Sequence, residues 1–273
     1  MHPLFCAQFF SYYICSNDVA VLSKNDLLLR GGTTMSGYTY LDFLAAAGIG
    51  SAHPGGFTLT KQLLQQFDLK KETKLLEIGS GTGRTAAYIK KQFGCDVSAV
   101  EKNEVMIEKA RARWMREKLN VDVIQGEAEE LPFQNKQFHI VLGESVFAFT
   151  KKEKAVEECY RVLKEEGMLV CIEMVIEQHI KKQDEERIAA VYGIDEILTE
   201  SEWLKVFLNS GFGIANVIGG ATIAKTIAAY AEQPEFHVSY NFSNELYEMW
   251  SEHERILRTY HHVLGHRVFL CKK

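Results

Sequence analysis

Long apolar runs are missing from this 273-residue chain. The nearest approach, LFCAQFFSYYIC at 4–15, falls short of the ~18 residues that suggest a membrane span. No basic residue precedes it and no clear small-residue cleavage site follows, so a secretory leader is only weakly supported. Closely paired cysteines are missing too. Cys6, Cys15, Cys95, Cys159, Cys171 and Cys271 lack the short spacing of a zinc site and fit free thiols in a reducing cytoplasm. Nor is there an excess of positive charge. The 31 lysines and arginines face 36 aspartates and glutamates, a net charge of -5. Nucleic acid is therefore not the expected partner, and a neutral or cationic small molecule is compatible. Repeats and low-complexity linkers are absent, which leaves one domain rather than two.

What is present is ordinary globular material, 47% hydrophobic and 25% charged. From residue 74 onward, short apolar strands alternate with amphipathic helices. The strands read as 74–78, 96–100, 121–126, 138–143 and 168–173. The helices read as about 83–93, 103–118 and 151–163. That alternation implies right-handed crossovers and a parallel sheet covered on both faces. Ahead of it, 38–48 reads as a short helix closed by Gly48. A second helix follows Pro54-Gly55-Gly56, with Leu59, Leu63, Leu64 and Phe67 on one face. Beyond Glu173 the pattern loosens. A charged helix face, a helix opened by Thr199 with Glu202, a strand near 213–219, a helix from Asn244 to about Leu264 and a last apolar strand are expected.

Arg30-Gly31-Gly32, a few codons before Met35, is what a purine-rich ribosome-binding site yields when translated. No amphipathic period precedes Met35. Residues 1–34 are thus expected to be an extension, disordered or lying upstream of the natural start. Residues 35–57 would form a lid, 58–175 a ligand-binding core, and 176–273 substrate-facing helices and the last two strands.

The sharpest signal is LLEIGSGTGR at 75–84. Glycines straight after a first strand allow backbone angles closed to other residues and let a ligand approach closely, beside the free N–H groups of the next helix. Two readings compete. Gly81-Thr82-Gly83-Arg84-Thr85-Ala86 fits the dinucleotide fingerprint G-x-G-x-x-A, with Glu101 placed for a ribose. The other frame is EIGSGTG at 77–83. It is joined by DVSAVE ending at Glu101, GEAEELPF at 126–133, FHIVLGESVFAF at 138–149, ECYRVLKEEGMLV at 158–170 and HPGGFTLT at 53–60. In that frame the chain resembles the class I S-adenosylmethionine-dependent methyltransferases, in particular their small-molecule branch. Several motifs in register outweigh a single one.

The resemblance implies a Rossmann-like α/β fold: a doubly wound seven-stranded sheet, mostly parallel, with an antiparallel last strand. It implies S-adenosylmethionine as cofactor and a small-molecule methyl acceptor. A nonenzymatic module binding the same cofactor is the alternative from another class; an NAD-dependent oxidoreductase is the third. Carried over residue by residue, Glu101 would accept both ribose hydroxyls. Gly79, Ser80, Gly81 and Gly83 would cradle the methionine portion. Glu77 would orient the loop or accept from the ammonium. Glu127 and Ala128 would read adenine, with the stem of Lys102 over the ring. His53 and Glu144 are the candidates for a base, or for holding cofactor and lid. Tyr38, Tyr40 and Phe147, with Phe149, are candidates for the acceptor pocket, although aromatics at this spacing also serve cores. Two positions depart from the family pattern. Glu127 stands where Asp is usual, and His139 replaces the Asp that opens the fourth strand; we read His139 as structural. His253, His261, His262 and His266 suggest a metal, but no carboxylate falls in ligand spacing with them, and no metal site is expected.

Overall fold

The computed structural model describes residues 38–229, 235–239 and 243–273. The proposed extension at 1–34 lies outside the described residues. The helices are α1 (Tyr40–Ala47), α2 (Gly56–Leu64), α3 (Arg84–Phe93), α4 (Glu104–Arg116), α5 (Lys152–Val162), α6 (Lys182–Tyr192), α7 (Glu200–Asn209), α8 (Ile223–Ala229) and α9 (Asn244–Tyr260). The strands are β1 (Lys74–Ile78), β2 (Asp96–Glu101), β3 (Asp122–Gln125), β4 (Phe138–Glu144), β5 (Leu163–Ile176), β6 (Ile214–Thr222) and β7 (Leu264–Lys272). They form one sheet in the order β3-β2-β1-β4-β5-β7-β6. The first five are parallel, and β7 runs antiparallel between β5 and β6.

The apolar strands do alternate, but between two cores. Leu76, Ile78, Val100, Val141 and Cys171 belong to the core beneath α1, α5, α6, α7 and α9. Leu75, Val97, Ala99, Leu142 and Val170 belong to the core beneath α2, α3 and α4. Both faces are covered, so neither parity can be polar. Each fully buried aliphatic side chain contributes roughly 1.5–3 kcal/mol.

Local chemistry sets the helix ends. Thr39 and Asp42 form a capping box on α1, and Thr199 and Glu202 form the expected one on α7. Gly48 closes α1 at φ 60°. Several boundaries differ from the expectation. α9 ends at Tyr260 because Leu264 opens β7, and β6 runs on to Thr222. α2 stops at Leu64, so Phe67 packs from the following turn rather than from the helix face. β5 extends from 163 to 176 because Leu163 pairs with Phe138 before a register shift brings Met168 opposite Ile140. No helix among the described residues is long and apolar enough to cross a membrane.

Candidate active site

Strand order reverses between β1 and β4, and there the chain opens a crevice at the carboxyl ends of the strands. A cavity of about 600 Å³ occupies it. Four strands bring a glutamate to this crest: Glu77, Glu101, Glu144 and Glu173. Each is used differently.

Glu101 is buried and holds backbone. Its Oε2 accepts from the Gly81 N–H at 2.9 Å and its Oε1 from the Asn103 N–H at 2.9 Å. The glycine loop and the start of α4 are thus tied to one carboxylate that faces the cavity. The three glycines of the loop divide their roles. A Cβ on Gly79 would meet Val146 at 2.6 Å, and one on Gly83 would meet the Trp114 indole at 2.7 Å. Trp114 also donates to the Gly83 carbonyl at 2.9 Å. At Gly81, with φ +52°, no atom lies within 4 Å of the Cβ position. Of the three, only Gly81 leaves that volume open.

Glu77 is buried, and its Oε2 has no partner. Burial pushes its carboxyl well above the usual range, and the neighbouring charge of Glu144 adds to this. Ser51 Oγ, Ser80 Oγ and Thr82 Oγ1 are likewise buried without a partner. Among the described residues, four of the five such side-chain oxygens therefore line this one cavity. Leaving a buried polar group unsatisfied costs about 1–3 kcal/mol. A ligand rich in donors, with a cationic group near Glu77, fits what the wall lacks. At the rim, Ala128 is buried while Glu127 and Lys102 are exposed, and all three line the cavity.

Glu144 ties α2, the loop before it and α3 to the sheet. Thr60 Oγ1 from α2 donates to its Oε1 at 2.5 Å, Thr85 Oγ1 from α3 donates to its Oε2 at 2.7 Å, and His53 Nε2 lies 3.4 Å from Oε1. Thr60 and Thr85 escaped the sequence reading; the signal was a polar residue on the inward side of each amphipathic helix. Glu173 was missed as well. It is fully buried and accepts from the N–H groups of Val146 and Phe147 at 3.0 Å and of Ala148 at 3.3 Å. Burial nevertheless pushes its carboxyl up to about 7. It holds the β4 loop, where Ser145 sits at φ 59°.

Away from the glycine loop the cavity is lined by Leu41, Asp42, Phe149, Tyr192 and Gly193. Several expected residues are not on the wall. Gly83 is covered by Trp114. Phe147 is fully buried in the core because its ring packs against Gly143. Tyr40 stands behind Phe149 and Tyr192, stacked on the former with centroids 6.2 Å apart and edge-on to the latter at 5.0 Å. Tyr38 is 46% exposed and also lies off the wall. Tyr192, unforeseen, lies on it, its hydroxyl 3.1 Å from His253 Nδ1. His139 is held by the Lys74 N–H and by Lys164, at the opposite end of β4.

A short segment, 235–239, clasps the outside. The Glu235 carbonyl accepts from Gly50 N–H at 3.0 Å. Its carboxylate meets Arg113 at 2.9 Å and Arg84 at 3.2 Å. Arg113 in turn donates to the Thr82 carbonyl at 2.9 Å.

An open Rossmann-like sheet with a glycine loop and an acid on the second strand defines a nucleotide-type cofactor site. Comparison with known proteins narrows the class. A methyltransferase-domain family model matches residues 75–167. The Bacillus subtilis protein YodH, described as an uncharacterized methyltransferase, is 31% identical over 234 residues, 86% of this chain and 99% of that one. The demethylmenaquinone methyltransferase of Chlorobaculum tepidum is 30% identical over 140 residues, 51% of this chain and 55% of that one. In fold, the chain is similar to a Haemonchus contortus phosphoethanolamine N-methyltransferase solved with S-adenosyl-L-methionine. The TM-score is 0.67 at 19% identity, over 93% of this chain and 60% of that one. The chain belongs to the class I S-adenosylmethionine-dependent methyltransferases. S-adenosylmethionine is its cofactor.

Proposed function

We propose that the protein methylates a small molecule held at the lid end of the cavity. One observation carries this reading. The cavity that starts at the glycine loop runs without a break to Phe149, Tyr192 and Gly193, in the region expected to face a substrate. A module that only bound the cofactor would have no need of wall residues that far from the glycine loop.

The wall supports the following cofactor roles. Glu101 has a second lone pair on each oxygen for the two ribose hydroxyls; charge-assisted bonds of this kind are worth about 1.5–3 kcal/mol. The unpartnered Oε2 of Glu77 suits the ammonium, with Ser80 and Thr82 beside it. The open volume at Gly81 lets the methionine chain lie on backbone. Glu127, the Ala128 N–H and the stem of Lys102 serve adenine. Bound S-adenosylmethionine supplies an electrophilic methyl on a cationic sulfur. The protein's part is to align the acceptor and exclude water, and orientation alone is worth roughly 7–11 kcal/mol. We expect it to act in the cytoplasm.

Incubating the protein with methyl-labelled S-adenosylmethionine and a small-molecule extract, then identifying labelled products by mass spectrometry, tests this. A labelled small molecule is the expected result. Label found only on protein or nucleic acid would overturn the choice of acceptor.

A further inference from the structure

The lid end of the cavity has a proton count that can be closed. The Pro54 carbonyl can only accept, so the 3.2 Å contact from His53 Nδ1 places a proton on Nδ1. His53 Nε2 lies 3.0 Å from Thr60 Oγ1, and Thr60 Oγ1 lies 2.5 Å from Glu144 Oε1. A hydroxyl has one proton to give and cannot serve both neighbours. Two protons are needed to fill the two contacts. They can be arranged as imidazolium, hydroxyl and carboxylate, or as imidazole, hydroxyl and carboxylic acid. With one proton, one contact stays empty. Thr60 is fully buried, whereas His53 and Glu144 both reach the cavity. A sealed hydroxyl thus joins two titratable groups that face the same chamber.

We propose that His53, Thr60 and Glu144 form a relay that takes the proton of the acceptor's nucleophile, which marks the acceptor as a hydroxyl or an N–H amine. This rests on the methyl-transfer reading above. In the balanced step, the nucleophile's lone pair forms the new bond to the methyl carbon. The carbon–sulfur bond breaks with its electron pair remaining on sulfur. The nucleophile's proton leaves for the one-proton relay, which becomes the two-proton relay. The two-proton form later loses that proton to solvent when the lid opens. Only the one-proton form accepts, so the transfer rate should rise as pH rises through the apparent midpoint of the pair, which belongs to both ends together. The charged groups around the relay are Glu77 from β1, Glu101 from β2, Arg84 from α3 and His266 from β7, with Arg267 and Glu177 beside His266. Thr85 donates to the other Glu144 oxygen throughout.

The test has a spectroscopic arm and a transfer arm. With nitrogen-15-labelled histidine, the His53 resonances are followed against pH in the wild type, Thr60→Val, Thr60→Ser and Glu144→Gln. In Thr60→Val the His53 Nε2 resonance should move, because the hydroxyl 3.0 Å away is lost while the direct 3.4 Å contact with Glu144 stays. Glu144→Gln should move it as well, and Thr60→Ser should restore the wild-type position. In the second arm, the same proteins receive methyl-labelled S-adenosylmethionine and a panel of primary amines, alcohols and phenols. Thr60→Val should lose about tenfold or more in initial rate while S-adenosylhomocysteine affinity is kept, and Thr60→Ser should recover the rate. A His53 Nε2 resonance that is the same in all four proteins overturns the relay. So does Thr60→Val transferring label at the wild-type rate. If the wild type binds S-adenosylhomocysteine yet labels nothing on the panel, that counts against methyl transfer to such nucleophiles, while the His53 titration still decides whether the relay exists.

Discussion

The two ends of the cavity are built by different means. At the glycine-loop end, the polar groups sit on strand ends or on the first turns after them: Glu77, Ser80, Gly81 and Glu101. They are close in sequence and fixed by the parallel ladder. At the lid end, the groups come from five separate segments: His53 before α2, Thr60 within it, Glu144 on β4, Phe149 beyond it and Tyr192 at the end of α6. Side-chain hydrogen bonds join His53, Thr60 and Glu144, and ring packing on Tyr40 brings in Phe149 and Tyr192. The first end depends on backbone geometry, the second on a network. Substitutions at the first should therefore remove binding outright, whereas at the second they should tune it.

The largest effect expected is Gly81→Val. The side chain would occupy open cavity volume at φ +52°. Strain of this kind costs roughly 1–2 kcal/mol of stability. Loss of S-adenosylhomocysteine binding by more than about 100-fold in a folded protein should accompany it, the extra volume standing where the ligand lies. Gly83→Val should do the reverse. Its Cβ would enter the Trp114 indole, so the melting temperature should fall far more than for Gly81→Val. Calorimetry and thermal melts on the pair check this division. Equal melting temperatures would show that the two glycines are not functionally distinct.

Next is Glu101→Ala. Losing about 1.5–3 kcal/mol of charge-assisted bonding should weaken S-adenosylhomocysteine by roughly 10- to 150-fold. The freed Gly81 and Asn103 N–H groups add to the loss. An unchanged dissociation constant would mean that the ribose is held elsewhere.

This residue also shows what could be read from sequence. Glu101 ends an apolar strand, so its address follows from the β2 pattern alone. Gly79, Gly81 and Gly83 were equally visible as a group, but their separate jobs were not. Whether a glycine faces Val146, open space or Trp114 depends on segments up to about 67 residues away. Thr60 and Glu173 illustrate the same limit. A threonine in an amphipathic helix and an acid ending an apolar strand are common. Their partners, Glu144 and the 146–148 backbone, are chosen by packing. Phe147 and Tyr40 misled because aromatic spacing does not tell a wall from the layer behind it.

Glu173 anchors the loop between the two ends, and its stability effect has a definite sign. Its folded value of about 7 lies above the ordinary 4.5, so the native state holds a proton that the unfolded chain has released. Its contribution is fully present below about 4.5 and is lost as pH rises to about 7, flat thereafter. The gap is worth about 3 kcal/mol at most. Glu173→Gln should remove that slope from denaturant midpoints measured between pH 4.5 and 8. A slope that survives in the variant would assign it to other groups.

Glu77 sharpens the contrast from the binding side. Its carboxyl is raised by burial and by Glu144, which favours the neutral form in the empty site. An ammonium placed beside it should bring its titration down again. Binding of S-adenosylhomocysteine at pH 7 should therefore release up to about one proton, read as a buffer-dependent heat in phosphate and in Tris. Glu77→Gln should abolish the buffer dependence. Heats that are the same in both buffers for the wild type would place the ammonium elsewhere.

The smallest effect is expected at the clasp that spans both ends. Glu235 touches the segment between α1 and α2 through its carbonyl on Gly50, and the glycine loop and α3 through Arg113 and Arg84. Burial raises its carboxyl, but the Arg113 and His237 partners outweigh this and hold it below the usual carboxylate range. The side chain is 28% exposed, so the ion pairs are partly screened. Glu235→Ala leaves the Gly50 backbone bond in place. Arg113 keeps its bond to the Thr82 carbonyl and its contact with Glu117 at 3.7 Å, so no cation is stranded. A loss of only about 0.5–1 kcal/mol is expected, a two- to fivefold weaker S-adenosylhomocysteine with a faster release rate. Stopped-flow release at 50 and 500 mM salt checks it. The wild type should approach the variant's rate as salt rises, because screening removes what the mutation removes. A variant that releases at the wild-type rate in low salt would show that the clasp rests on backbone alone.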